Sequence, residues 1–508
     1  MGAADRAFRM AGQAPRRFPG FVRVMLLASG LMMIPALVGA AAEDWRVARV
    51  FLIQGVFFAI LAVILGIAMM NRAPRIAERY YLTTLALIYL LIPLILAGPV
   101  RALVPGISTG GAYFEMLSCL TTTGATLFDR PELVPPAIHL WRGLVGWAGG
   151  LMALVVVFAI LAPLNLGGFE FVEAADQSGR AASTDEVARR LARFTRVIAP
   201  AYATLTGLLA LALLLAGDPP LVAVLHAMGT LSTSGVSPIG GPAEAASGRL
   251  GEAAIALLLL PAVSHRITNY HLRRDRWPAF DDPQLRLMLI CVLGVALVLY
   301  LRAFAGAAEA GPRHDLAGAL AALWGGIFTS LSFLTTTGYT SVDWHGTELW
   351  SELSRPGTIL MGLAVMGGGI ATTAGGVKLF RIYVLYRHGL RELDLLTHPS
   401  SVARRGRGEQ VITGKGARIA FIFLMLFLIA IALGMIGLSA TGLSFEQSLT
   451  FAIAALTTTG PLAATLGEAG RYAALDDVAL AILGAAMIVG RIETLVVVAL
   501  FNPSFWRR

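Results

Sequence analysis

The sequence predicts an all-helical integral membrane protein of ten transmembrane helices and four shorter re-entrant helices. Three observations predict it. Of the 508 residues, 56% are hydrophobic and only 14% charged, with a mean hydropathy of +0.72, far from soluble averages. The apolar residues gather into ten runs of roughly 17 to 25 residues, the length that crosses a hydrocarbon core. Four further apolar runs are too short to cross, and each ends in nearly the same four residues.

The formal charge of +9 would suit nucleic acid if the basic residues shared one face. Instead, short Arg clusters with almost no Lys separate the apolar runs, which fits membrane topology. Cys119 and Cys291 both fall inside apolar stretches, so neither a disulfide framework nor a metal site is indicated.

The first run, about 21–42, follows a basic tail of Arg6, Arg9, Arg16 and Arg17 and ends in small residues at 39–42. A cleaved signal peptide has that outline. Near-spanning length, and a second run at 48–70, predict a retained hairpin instead. The remaining runs are 80–99, 140–166, 197–216, 249–265, 285–305, 357–386, 417–438 and 477–501, the eighth run (357–386) interrupted by glycines. With a cytoplasmic N-terminus, the clusters Arg72, Arg75 and Arg79, then Arg189, Arg190, Arg193 and Arg196, then Arg273, Arg274 and Arg276, then Arg404, Arg405 and Arg407 all lie inside. That satisfies the positive-inside rule, and ten spans return the C-terminus, with Arg507 and Arg508, to the cytoplasm.

The four short runs, 111–120, 221–231, 322–334 and 445–456, have the length of re-entrant or buried helices. They end in Thr121-Thr122-Thr123-Gly124, Ser232-Thr233-Ser234-Gly235, Thr335-Thr336-Thr337-Gly338 and Thr457-Thr458-Thr459-Gly460, spaced 111, 103 and 122 residues apart. This is an internal repeat. It divides the chain into an accessory hairpin at 1–79 and four units at 80–180, 181–275, 276–400 and 401–508, each a span, a short helix, a T-T-T-G-like loop and a closing span.

A potassium ion entering a pore must trade its water shell for oxygens, and non-helical backbone supplies carbonyls only where it lines a wet cavity inside protein. One loop cannot surround an ion, whereas four can. Glycine in fourth position lets successive carbonyls turn toward one axis, and the C-terminal end of each short helix adds partial negative charge that favours a cation. No Asp, Glu, Lys or Arg stands in any T-T-T-G core, so selection would rest on dipoles. The plain alternative is that Thr and Gly merely let membrane helices pack closely. Four copies at corresponding places weigh against it.

The strings Ser118 to Ala125 (S-C-L-T-T-T-G-A), Ser332 to Tyr339 (S-F-L-T-T-T-G-Y), Thr372 to Lys378 (T-T-A-G-G-V-K) and Gly490-Arg491-Ile492-Glu493 through Asn502-Pro503-Ser504-Phe505-Trp506 resemble the TrkH/KtrB/HKT superfamily of potassium transporters, its bacterial TrkH branch above all. The resemblance implies a pseudo-fourfold pore in each chain, a homodimer and a cytosolic TrkA-like nucleotide-binding ring as regulator. It also implies a potassium filter made of Thr122, Thr123, Gly124, Thr233, Ser234, Gly235, Thr336, Thr337, Gly338, Thr458, Thr459 and Gly460. In that superfamily glycine in every filter loop goes with potassium preference, and all four are glycine here. The second loop's serines, Pro461 after the fourth glycine, and Pro261 in the second closing span depart from the expected pattern.

Five glycines, Gly367, Gly368, Gly369, Gly375 and Gly376, fall within ten residues of the eighth run. Each costs a helix about 1 kcal/mol relative to Ala, so the helix should break there. The glycines alone leave a flexible loop and a kinked, packed helix equally open. The resemblance implies a gate loop that includes these glycines and Lys378. A phosphate-binding loop is excluded, because Lys378 does not follow glycine directly and Leu379 stands where Ser or Thr is required. Arg491 lies about nine residues, or roughly 13 Å, from the end of the last run. A charge there should face a wet cavity or a partner, since lipid exposure costs on the order of 3 kcal/mol. The resemblance implies a positive barrier beneath the filter, and the alternative is a buried ion pair, for instance with Glu493 of a neighbouring element.

The eight histidines show no ligand spacing, His226 included, and no carboxylate pair or nucleophile triad suggests an enzyme. The basic loop 387–418 suits lipid headgroups or a regulatory subunit equally. The expected activity is potassium uptake across a bacterial inner membrane. An alternating-access cation symporter coupled to protons or sodium is the rival, although four parallel copies differ from the usual two inverted ones. A membrane enzyme or scaffold with merely packed glycine loops is the rival from a different class.

Overall fold

A computed structural model describes residues 18–69, 77–161, 184–264, 282–310, 316–351, 357–398, 414–494 and 497. Every regular element among them is helical. The N-terminal hairpin is α1 (Gly20–Leu31), running through a kink at Met32 into α2 (Met33–Ala41), and α3 (Trp45–Met69). The chain continues as α4 (Ala77–Leu103), the short α5 (Thr109–Leu120), α6 (Pro136–Val156), α7 (Thr184–Leu215), the short α8 (Pro220–Ser232), and α9 (Gly248–Leu259). It then forms α10 (Pro283–Ala310), α11 (Leu316–Leu334), α12 (Trp344–Ser351), α13 (Gly357–Met366), α14 (Leu379–Thr397), α15 (Gly414–Ala440), the short α16 (Phe445–Leu456) and α17 (Asp477–Ile492).

Seven segments are long and apolar enough to cross a membrane: Gly20–Ala41, Trp45–Met69, Arg79–Leu103, Pro136–Leu161, Glu186–Leu215, Pro283–Leu301 and Gly416–Ala440. Their outer faces are apolar; on α3 alone Ile53, Phe57, Ile60, Ile64 and Ile67 are exposed. A soluble chain would not leave so continuous a stripe uncovered, and a bilayer covers it.

The other three expected runs break instead. After α9 the chain tightens into a 3-10 turn at Leu260–Ala262, where Pro261 has no N–H to continue the helix. The eighth run stops at Met366 and resumes at Leu379, as its glycines predict. The last run, expected at 477–501, continues through Arg491 but is interrupted just after it: α17 ends at Ile492, because Glu493 takes φ 72° and ψ 134°, which no helix accommodates. The expected cytoplasmic clusters at Arg72 and Arg75, Arg273, Arg274 and Arg276, and Arg404, Arg405 and Arg407 lie outside the described residues, as do the N-terminal tail and Asn502 to Trp506.

The packing order closes on itself. α6 packs against α8, α9 against α11, α13 against α16, and α17 returns to α5. Each helix that follows a T-T-T-G-like loop thus buttresses the short helix of the next unit, so the four loops face a common centre.

Candidate functional site

The loops are built by the way their helices end. In each, the second residue is in the left-handed region: Thr122 at φ 56°, Thr233 at 51°, Thr336 at 58° and Thr458 at 54°. The amide of that residue reaches the carbonyl three back, and the next amide donates five back: Thr123 to Ser118 (2.8 Å), Ser234 to Gly229 (2.9 Å), Thr337 to Ser332 (2.9 Å) and Thr459 to Ala454 (2.8 Å). This is a helix-ending turn whose left-handed position usually belongs to glycine. Threonine there costs about 1–3 kcal/mol per residue, and strain of that size persists only where the surroundings impose it. All but Glu43 of the non-glycine residues with positive φ among the described residues lie in these loops or in the segments packed beneath them.

The side chains repeat too. The first hydroxyl of each loop donates to the carbonyl four residues back: Thr121 to Leu117 (2.8 Å), Ser232 to Met228 (2.7 Å), Thr335 to Leu331 (3.0 Å) and Thr457 to Ile453 (2.8 Å). It also pairs with the third hydroxyl, Thr123 at 2.8 Å, Ser234 at 2.9 Å, Thr337 at 3.2 Å and Thr459 at 3.1 Å. These hydroxyls stiffen the loop by tying its first and third residues together. The hydroxyls of Thr122 and Thr458 are buried with no protein partner.

The fourth residue lets the loops meet. A Cβ on Gly124 would stand 1.9 Å from the Ser234 carbonyl oxygen, on Gly235 2.2 Å from that of Thr337, on Gly338 2.9 Å from the Pro461 ring, and on Gly460 2.1 Å from the Ala125 amide nitrogen. Loop one therefore touches two, two touches three, three touches four, and four touches one. The ring is not uniform. Gly124, Gly235 and Gly338 have positive φ, whereas Gly460 begins a 3-10 segment, donates its amide to the Thr123 carbonyl at 2.6 Å and is followed by Pro461.

Buried carboxylates hold two of the loops from behind. Glu115 on α5 accepts from Thr126 (3.0 Å) and from the Leu127 amide (2.9 Å) and pairs with Arg142 of α6 at 2.6 Å. Glu252 on α9 accepts from Trp324 (2.7 Å), Ser341 (2.8 Å) and the Val342 amide (2.5 Å). Farther out, Arg471 bonds Asp129 at 2.9 Å and Glu468 at 3.0 Å, tying the fourth unit to the first. Hydrogen bonds to those carboxylates raise the Arg471 pKa above its ordinary value.

Beneath the ring, residues 367–378 form a loop rather than a helix. It is pinned on several sides: the Gly369 amide donates to the Ala262 carbonyl (3.0 Å), the Ile370 amide to Gln284 (2.9 Å), and the Thr373 hydroxyl to the Leu231 carbonyl (3.3 Å). The Gly375 amide donates to the Thr336 hydroxyl at 2.7 Å. Arg491 donates to the Thr373 carbonyl at 2.6 Å, and Lys378 bonds the Ala374 carbonyl. One cavity is lined by Gly375, Gly376, Lys378, Arg491 and Glu493 together. Of the residues expected at a gate, Gly375, Gly376, Lys378 and Arg491 line that cavity, Gly375 also meets the third and fourth loops, and Gly367, Gly368 and Gly369 pack against Gly376, Ala374 and Val263.

The suggested Arg491–Glu493 pair is not formed. Glu493 pairs instead with Arg381 of α14 at 2.9 Å, and Arg381, fully buried, also lies 3.8 Å above the Phe423 ring. The sequence reading missed Arg381, Gln284 and Glu115. Arg381 and Glu115 carried the same signal as Arg491, a charge inside or beside an apolar run.

A Trk system potassium uptake protein, TrkI of Halomonas elongata, is 32% identical over 444 residues, covering 85% of this chain and 84% of the relative. The chain belongs to the TrkH family. The family's own profile, described as a cation transport protein, matches residues 286–508. The Trk system potassium uptake protein TrkH of Salmonella typhimurium is 28% identical over 498 residues, covering 95% of this chain and 97% of that one. Among solved structures, the potassium transporter TrkH from Vibrio parahaemolyticus superposes with a TM-score of 0.79 at 24% identity, across 96% of this chain and 98% of that one. TrkH-family chains are transport proteins rather than enzymes, and this one is a multi-pass membrane protein with the TrkH fold.

Proposed function

We propose that this chain takes up potassium across a bacterial inner membrane through a filter formed by the four loops, each of the four units at 80–180, 181–275, 276–400 and 401–508 supplying one loop. Potassium is the substrate; no other cofactor is invoked. Backbone carbonyls of Thr122, Thr123, Thr233, Ser234, Thr336, Thr337, Thr458 and Thr459 replace the ion's water, and Gly124, Gly235, Gly338 and Gly460 allow the close approach. The observation that carries this reading is the closed cycle of loop contacts around four threonines in the same strained conformation. The α5, α8, α11 and α16 helices act as re-entrant pore helices whose C-terminal ends favour a cation.

Below the filter, residues 367–378 act as a gate, with Arg491 and Lys378 as its positive barrier. Both termini face the cytoplasm, two chains form a homodimer, and a TrkA-like nucleotide-binding ring engages the cytoplasmic side. The names of the Halomonas and Salmonella relatives, both potassium uptake proteins, support the choice of ion. Gly338→Ser tests the filter. Added at φ 81° against Pro461, the serine is expected to abolish potassium-selective flux while the protein still elutes as an assembled species. Unchanged selectivity in that variant refutes the proposed filter.

A further inference from the structure

The four second-position threonines share one backbone conformation, yet their hydroxyls do different things. Thr122 and Thr458 have no protein partner, and Thr233 turns to the Ser232 carbonyl at 2.7 Å. Only Thr336 accepts a hydrogen bond from the glycine-rich loop, from the Gly375 amide at 2.7 Å. The seat is tight: a Cβ on Gly375 would lie 2.1 Å from the Thr457 carbonyl oxygen and 2.5 Å from the Thr458 hydroxyl. Residue 375 therefore fits between the third and fourth loops only as glycine, with its amide aimed at the third.

We propose that Thr336 is a latch: its hydroxyl holds the 367–378 loop closed against the filter, and opening releases that hydroxyl to join Thr122, Thr233 and Thr458 around the lower filter site. The inference rests on the reading of this ring as a potassium filter. It makes Thr336 a positioning residue for the gate in addition to a filter residue, and it explains a break in the fourfold pattern that ion binding alone does not require. Because Thr336 sits at φ 58° in a position fixed by the helix-ending turn, its backbone stays in the ring when the loop moves away. The bond is made in one gate state and lost in the other, so it biases the gate by its net strength.

The test measures potassium flux into liposomes holding the purified full chain without a regulatory partner. Thr336→Val keeps the branched shape and removes the acceptor, and Thr122→Val is the control for losing a filter hydroxyl; relative to that control, loss of the bond to a buried amide should raise resting flux roughly fivefold or more. Thr336→Ser, which keeps the hydroxyl, should return flux toward that of the unaltered chain. Gly375→Ala should raise flux likewise, by preventing the seat, and the double variant Thr336→Val with Gly375→Ala should exceed neither single one, because both break the same contact. Flux in Thr336→Val no higher than in Thr122→Val, or gains that multiply in the double variant, overturns the latch. Absence of potassium flux in every variant would instead overturn the filter reading on which the latch rests.

Discussion

The ring of loops and the segments beneath it are built from the same four units, but only the ring repeats. Above, four threonines share a φ between 51° and 58°, and four hydroxyl pairs recur at 2.8–3.2 Å. Below, the closing helices diverge: the first only loosens into a π turn at Val157–Leu161, and the others break at a 3-10 turn at Leu260–Ala262, a twelve-residue loop from 367 to 378, and a single residue, Glu493, of positive φ. Charge follows the same division. The T-T-T-G cores are neutral, whereas Lys378, Arg381, Arg491 and Glu493 cluster below. An ion stripped of water needs near-equal oxygens on all sides, which favours repetition. A barrier needs one element that moves against others that do not, which favours divergence.

The comparison breaks most severely if the ring is disturbed. Gly124→Ala places a methyl 1.9 Å from the Ser234 oxygen in a left-handed position, and strain of about 3 kcal/mol there should lower potassium-selective flux about a hundredfold. Flux assays on the assembled variant check this.

Two buried carboxylates sharpen the contrast. Glu115→Gln and Glu493→Gln each leave a buried guanidinium without its carboxylate, at about 3 kcal/mol of stability, readable as a lower unfolding temperature in detergent. Their functional signatures should differ. Glu115→Gln loosens the backbone after the first loop and should reduce discrimination between potassium and sodium. Glu493→Gln should leave discrimination intact and change the resting flux.

The smallest effect concerns single hydroxyls. Thr123→Val removes a hydroxyl paired with Thr121 and should cost about 1 kcal/mol of stability. Thr122→Val removes one with no protein partner, so it should not destabilise the fold but should lower potassium flux several-fold. Equal behaviour of the two variants would erase the distinction between stiffening and ion-facing hydroxyls.

The upper region was the legible one. Four copies of one string announce four similar turns, and the short helices end where the strings begin, α16 at Leu456 and α5 at Leu120. The break after Met366 was also legible, since five glycines weaken a helix regardless of its surroundings. What stayed hidden depends on contacts distant in sequence. A left-handed threonine is imposed by neighbouring loops rather than by its own propensity, so nothing in T-T-T-G names Thr122 over Thr123. The break at Glu493 has no glycine to signal it, and its carboxylate is held by Arg381, 112 residues away. Arg491 was visible as a buried charge, but its partner is a carbonyl at Thr373, and sequence patterns do not reveal carbonyl partners.

The most direct test of the central claim, that four loops form one potassium filter, is flux of potassium against sodium into liposomes holding the purified protein, with the same lipid lacking protein as blank. The account predicts potassium flux well above both the blank and the sodium flux. Equal flux of the two ions would contradict it.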